Sequence, residues 1–291
     1  MGAVKIALAN QIRNVNVLFM KSMTCFSRLK LQFLAVSILA AILAVLPCRA
    51  QMTNAPASGT NDASDVSHFP GLENLPGKHP PHIWNGLAGV WARAHARWKN
   101  TASNDVGAVV FLGDSITEGW NGTLARDFPN MHVADRGIGG DITAGVLYRL
   151  QDDVLALDPA GIVLLIGTND LGNDADPADV ADNTKQILLA IKKFNPQLKV
   201  IVCKVMPRSQ NGQPIFDAKI KQLNSMVEDF VKTEPNFAIC DTYSIYADDQ
   251  GNPNPADFNP DHLHLNRAGY VTWKTALDPV IAKMNFPTKS Q

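Results

Sequence analysis

Ser115 follows an apolar run, Val109-Val110-Phe111-Leu112-Gly113-Asp114, and stands where that run breaks and a helix can begin. A serine hydroxyl is a weak nucleophile at neutral pH. It becomes effective when a base takes its proton, a third group orients the base, and donors wait for an oxyanion. Residues suited to all three tasks are present. Near the C-terminus, Asp261-His262-Leu263-His264 sets a carboxylate three residues before an imidazole, so Asp261 can hold the ring of His264 while that ring takes the Ser115 proton. His262, one residue from Asp261, is less able to fold back onto the carboxylate. Between these ends lie Gly137-Ile138-Gly139-Gly140-Asp141 and Gly167-Thr168-Asn169-Asp170, each directly after an apolar stretch. Glycine lets backbone N–H groups approach a substrate closely, and the Asn169 amide adds a side-chain donor.

Taken singly, each block has a plainer reading. A serine after a strand is often a helix cap, an asparagine a turn former, and a glycine run a tight turn. As a phosphate loop the glycine run fails, because no Lys-Ser/Thr pair follows and the dinucleotide pattern lacks its third glycine. Gly113-Asp114-Ser115-Ile116-Thr117 also lacks the second glycine of the G-x-S-x-G elbow, which argues against the α/β-hydrolase fold. The four blocks acting together, in order and each at the end of an element, carry the catalytic reading.

The elements that would position them alternate. Strands are predicted near 107–112, 133–138, 161–166, 198–205 and 237–241, with helices near 118–127, 142–156, 178–194, 215–233 and 266–284. Such alternation makes a parallel sheet covered by helices on both faces. In such sheets the ligand crevice lies beyond the carboxyl ends of the strands, where Ser115, Gly140 and Asn169 all fall. Ahead of the first strand, Trp84, Trp91 and Trp98 recur every seven residues with Leu87 and Ala94 between them, which predicts one helix carrying all three on one face. Packing is the favoured role for that stripe, an aromatic platform for sugars the alternative. Asp248 to Pro260 is the longest irregular stretch and reads as a surface loop walling the site. Its three aspartates are assigned to solvated turns ahead of a calcium site.

In this order the four blocks resemble those of the SGNH, or GDSL, hydrolases, over residues 106 to 284. The resemblance implies a three-layer α/β/α sandwich with a five-stranded parallel sheet, flavodoxin-like, and an ester hydrolase. By the same resemblance Ser115 is the nucleophile, Asp261 and His264 complete the triad, and the N–H groups of Ser115 and Gly140 form the oxyanion hole with the Asn169 amide. Ile116 replaces the leucine of Gly-Asp-Ser-Leu. Gly137 to Asp141, followed by Val146-Leu147-Tyr148-Arg149-Leu150, is most similar to the branch containing the intracellular platelet-activating-factor acetylhydrolase catalytic subunits.

The 291 residues, 46% of them hydrophobic, suffice for one large core. A single catalytic domain is expected over 82–286, after a flexible leader over 51–81. Residues 1–50 hold six Lys or Arg, no acid, and an apolar stretch from Leu31 to Leu46 that is short for a membrane span. They read as a secretory signal peptide cleaved after Ala50, which implies an exported protein, periplasmic or extracellular. The net charge of −1 becomes −7 once those residues are set aside. That disfavours nucleic acid and anionic membranes as partners, and no stable membrane insertion of the mature chain is expected. Of the four cysteines only Cys203 and Cys240 lie beyond residue 50, each in an apolar segment, and buried thiols are expected there. No Cys/His cluster has zinc spacing, and the chemistry calls for no metal or cofactor.

The expected reaction is hydrolysis of short-chain esters, acetyl first, through an acyl-enzyme. Ile116 and Leu263 adjoin nucleophile and base in sequence and would crowd the acyl side. The expected substrate is a small ester or an acetylated saccharide. A lysophospholipase or thioesterase is the enzymatic alternative, and a catalytically silent binding module the non-enzymatic one.

Overall fold

The computed structural model describes residues 74–120 and 122–289. Strands β1 (Val109–Gly113), β2 (Val133–Gly137), β3 (Gly161–Leu165), β4 (Val200–Cys203) and β7 (Phe237–Cys240) form one parallel sheet in the order β2-β1-β3-β4-β7. A two-residue hairpin, β5 (Ser209–Gln210) with β6 (Gln213–Pro214), stands apart from it. The helices are α1 (Leu87–Lys99), α2 (Ser115–Glu118), α3 (Leu124–Asp127), α4 (Thr143–Asp153), α5 (Thr168–Gly172), α6 (Pro177–Phe194), α7 (Asp217–Val231) and α8 (Arg267–Lys283).

The central strands read Val-Val-Phe-Leu-Gly and Gly-Ile-Val-Leu-Leu and are buried along their whole length, as a parallel sheet sandwiched between helices requires. Their side chains alternate between two apolar layers. Val110, Leu112, Ile162 and Leu164 pack with Val146 and Leu150 of α4 and with Ile187, Leu188 and Ile191 of α6. Val109, Phe111, Val163 and Leu165 pack on the other face with Trp120, Phe128, and Trp273 and Leu277 of α8. The architecture is the expected three-layer α/β/α arrangement. Register places Gly113 opposite both Gly137 and Leu165, so β2, β1 and β3 end together and hand their following residues to one edge.

Three differences from the sequence reading have physical causes. The helix expected over 118–127 is two short turns, α2 and α3. The chain between them includes Gly119 and Gly122, and Gly122 takes φ +80, a left-handed value that ends a helix. Trp84 lies ahead of α1 rather than on it. Only Trp91 and Trp98 of the stripe are buried, packed with Leu87, Ala94 and Ile138. The leader expected to run flexibly to Pro81 is anchored from Leu75 onward. Leu75 is buried, and Lys78 exchanges two hydrogen bonds with the side chain of Asn183, at 2.8 and 2.7 Å. The signal peptide, its cleavage after Ala50 and the first part of the leader lie outside the described residues.

Cys203 and Cys240 sit in register on β4 and β7, both buried and both thiols, and burial pushes the Cys203 thiol well up. Among the described residues no helix is long and apolar enough to cross a membrane.

Candidate active site

Ser115 opens α2 at the end of β1. Asp114 caps that helix, its Oδ1 accepting the Ile116 N–H at 2.9 Å, and Gly113 makes the turn feasible. A Cβ at Gly113 would stand 2.3 Å from both the Leu165 carbonyl oxygen and Thr117 Oγ1, so no side chain fits.

The base arrives from the loop before α8. Asp261 Oδ1 accepts the N–H groups of Leu263 at 3.0 Å and His264 at 2.9 Å, which folds the loop into a tight turn. The other oxygen, Oδ2, lies 2.7 Å from His264 Nδ1, and His264 Nε2 lies 2.8 Å from Ser115 Oγ. With Nδ1 facing a carboxylate, the ring donates there and keeps Nε2 free to accept the serine proton. His262, at φ +53, donates its N–H to the Asn259 carbonyl, and the turn brings His264 rather than His262 onto Asp261. Burial pushes the Asp261 carboxyl up, but the His264 N–H, the His264 ring and the Leu263 N–H outweigh it and hold the group below its ordinary value.

The glycine and asparagine blocks face this arm. Residues Ile138 to Asp141 form a turn closed by the Asp141 N–H on the Ile138 carbonyl at 3.1 Å, with Gly140 at φ +78. Glu118, at the end of α2, accepts the Gly139 N–H at 2.8 Å. Among the described residues no acceptor takes the Gly140 N–H. The Ser115 N–H, first in its helix, has no intrahelical partner either. Asn169 Nδ2 donates one hydrogen bond to the Asp141 carbonyl at 2.9 Å, which fixes the amide beside Gly140. Three donor groups, from the start of α2, the glycine turn and α5, thus stand on one side, and the loop before α8 completes a serine–imidazole–carboxylate relay with Ser115. That arrangement can attack an acyl carbon and take up the charge on its oxygen.

A buried ionic network holds this side together, and sequence reasoning did not find it. Arg149, from α4, pairs with Asp141 Oδ2 at 2.8 Å through Nε, and its Nη2 donates to the Gly113 carbonyl at 3.0 Å and the Arg136 carbonyl at 2.9 Å. One guanidinium thereby ties the turn before Ser115 to the turn after Gly140. Asp141 Oδ1 also accepts from Ile142 N–H and Trp91 Nε1. Asp170 caps α4 through the Thr143 N–H and hydroxyl, the latter at 2.6 Å, and so joins the asparagine block to the glycine block. The signal available was an arginine eight residues past an aspartate, which carries no periodicity.

Burial pushes Asp114 up to about 7 and Asp170 up to about 6; the Ile116 N–H and the Thr143 donors act against it. Asp141 is raised by burial as well, with Arg149 opposing. Arg208 carries positive charge toward both Asp114 and Asp261 while burial lowers its own pKa. Its Nη1 donates to the Thr168 carbonyl at 3.3 Å, and its Nε is buried without a partner. Of the pair expected to crowd the acyl side, Ile116 is buried in the apolar layer and Leu263 is half-buried at its edge. Among the described residues no group of three His, Cys, Asp or Glu could hold a metal ion. In the loop after residue 247, Asp248 is occupied by the N–H groups of Gln250 and Asn252.

Residues 111–271 match the family model described as GDSL-like Lipase/Acylhydrolase family. The human platelet-activating factor acetylhydrolase IB subunit alpha1 is 30% identical over 199 residues, 67% of this chain and 84% of that protein. Among solved structures, a GDSL-like lipase from Bacteroides thetaiotaomicron aligns with a TM-score of 0.57 at 25% identity, covering 65% of this chain and 97% of its own. An acetylxylan esterase from Geobacillus stearothermophilus aligns with a TM-score of 0.50 at 20% identity, covering 63% of this chain and 97% of its own, which speaks to the fold alone.

Proposed function

This chain belongs to the GDSL-like lipase/acylhydrolase family and is an ester hydrolase, and we propose that it is an exported serine esterase that removes short acyl groups, acetyl first, from small esters and acetylated saccharides. The observation that carries the proposal is the unbroken relay Ser115 Oγ, His264, Asp261, at 2.8 and 2.7 Å, together with a Gly140 N–H that has no acceptor among the described residues.

His264 takes the Ser115 proton as Oγ attacks the ester carbonyl carbon. The carbonyl oxygen becomes an oxyanion and is held by the N–H groups of Ser115 and Gly140 and the free N–H of the Asn169 amide. As the tetrahedral species collapses, imidazolium gives its proton to the departing alcohol, leaving an acyl-serine. Water, deprotonated by His264, then releases the acid. Asp261 stabilises the imidazolium in both halves. Ile116 is closed into the core and does not limit the acyl group; Leu263, half-buried in the turn that carries His264, is the side chain that favours a short one. The platelet-activating factor acetylhydrolase relatives support acetyl as that group. Export rests on the basic and then apolar residues 1–50.

The test is turnover of p-nitrophenyl acetate and octanoate, with a serine-directed phosphonate as probe. The wild type should be labelled once, at Ser115, and should prefer acetate in kcat/KM; Ser115→Ala should lose both labelling and turnover while staying folded. Labelling of the alanine variant would remove Ser115 from the mechanism, and preference for octanoate would favour a lysophospholipase-like substrate. Recovery outside the cytoplasm of a chain beginning at Gln51 tests export.

A further inference from the structure

Trp84 is 52% exposed, whereas Trp91 and Trp98, its companions at seven-residue spacing, are buried. Its indole is held in place by two bare glycines. A Cβ on Gly86 would stand 2.2 Å from Cζ2 and 2.4 Å from Cε2, and a Cβ on Gly140 would stand 2.9 Å from Cε3 and 3.2 Å from Cζ3. Both edges of the six-membered ring therefore lie against glycine Cα atoms, and the ring occupies space that any other residue at either position would fill. Gly140 offers its N–H to the site, and a Cβ on its neighbour Gly139 would lie 4.0 Å from Ser115 Cβ. The exposed indole thus lies against Gly140, whose chain neighbour Gly139 approaches Ser115.

An exposed indole fixed at the rim of a site is an unusual use of a large apolar side chain. With a short acyl group held at the nucleophile, the part of the substrate that extends toward the rim is the alcohol. In sequence Trp84 is flanked by Ile83, which is half-buried against the core, and by the exposed polar residues His82 and Asn85, so the indole is the exposed flat apolar face of this segment, with hydrogen-bonding residues on either side of it in the chain. A pyranose has that pattern, a flat C–H face edged by hydroxyls. We infer that Trp84 is the stacking platform for the sugar ring of an acetylated saccharide, and so a specificity-determining residue for the leaving alcohol. The inference rests on the esterase reading above and names its substrate class.

The test compares kcat/KM for an acetylated xylopyranoside with kcat/KM for ethyl acetate, whose alcohol has no ring, in the wild type, Trp84→Ala and Trp84→Phe. The pyranoside-to-ethyl ratio should fall roughly ten-fold in Trp84→Ala, the scale of one aromatic stacking contact. Trp84→Phe, which keeps a flat ring, should retain most of it. A ratio unchanged in Trp84→Ala, or equal losses on both substrates, would overturn the inference while leaving the esterase intact. A wild type inactive on ethyl acetate, p-nitrophenyl acetate and the pyranoside alike would overturn the esterase reading and this inference with it. A 4-methylumbelliferyl acetate arm separates sugar from aryl alcohols: a larger loss on the aryl ester than on the pyranoside would count against the sugar.

Discussion

The two walls of the active site are built in opposite ways. The base wall, Asp261 to His264, is a surface turn whose side chains are 50% and 37% exposed and which is shaped by hydrogen bonds within four residues. The oxyanion wall is bound by Asp141, Thr143, Arg149 and Asp170, all buried, through contacts spanning up to 36 residues. Exposed groups are screened and easily replaced, whereas a buried charge is costly once its partner is gone. Chemistry and stability should therefore separate between the walls: damage to the base wall removes catalysis from a folded protein, and damage to the buried supports of the oxyanion wall lowers stability.

The largest effect expected is on the exposed wall. Asp261→Asn keeps Oδ1 for the Leu263 and His264 N–H groups but turns the other position into a donor, which reverses the preferred tautomer of His264. Turnover should fall roughly 10⁴-fold with a nearly unchanged melting temperature, measured on one preparation. A large drop in melting temperature would erase the contrast between the walls.

Arg149→Met tests the other side. It leaves Asp141 buried without its cation, and unfolding should become easier by about 3–5 kcal/mol, or about 2–4 °C per kcal/mol in a chain of this size. Adding Asp141→Asn should recover part of the loss. A melting curve like that of the wild type would mean that the buried pair is dispensable and the walls are alike.

How much of this was legible beforehand follows the same division. All five sheet strands lie within three residues of their predicted ends, and β1, β3 and β4 are buried apolar runs throughout, because apolar continuity and flanking glycines are local signals. The Asp261–His264 turn was legible for the same reason, since everything that shapes it lies within four residues. Arg149 on the Gly113 carbonyl was not: a contact formed by packing α4 under two strand ends leaves no pattern in the chain. Trp84 was misplaced because spacing alone extended α1 backward past Gly86, and α5 went unseen because five residues hold too little periodicity.

The smallest effect concerns pH, and here the walls differ in sign. Asp261 is held below its ordinary value, so its contribution to stability is present above that value and is lost as pH falls beneath it. Asp114, beside the nucleophile, is pushed up to about 7; the folded chain holds a proton the unfolded chain releases near pH 4, and stability declines as pH rises through that window. Asp114→Asn keeps the cap oxygen for Ile116 and removes the charge. Its melting temperature should therefore fall less between pH 5 and 8 than that of the wild type. An equal slope in both proteins would show that Asp114 does not carry the titration.

The walls also differ in when they are made. The nucleophile, the glycine turn, Arg149 and Asn169 all lie between residues 113 and 170, whereas the base comes at residue 264, more than ninety positions later. During synthesis the oxyanion wall can close around Gly113, Asp141 and Thr143 while the segment bearing His264 has yet to be made. Until that last loop docks, Ser115 is an ordinary alcohol without its base, so hydrolysis becomes available only to a chain completed at least through His264.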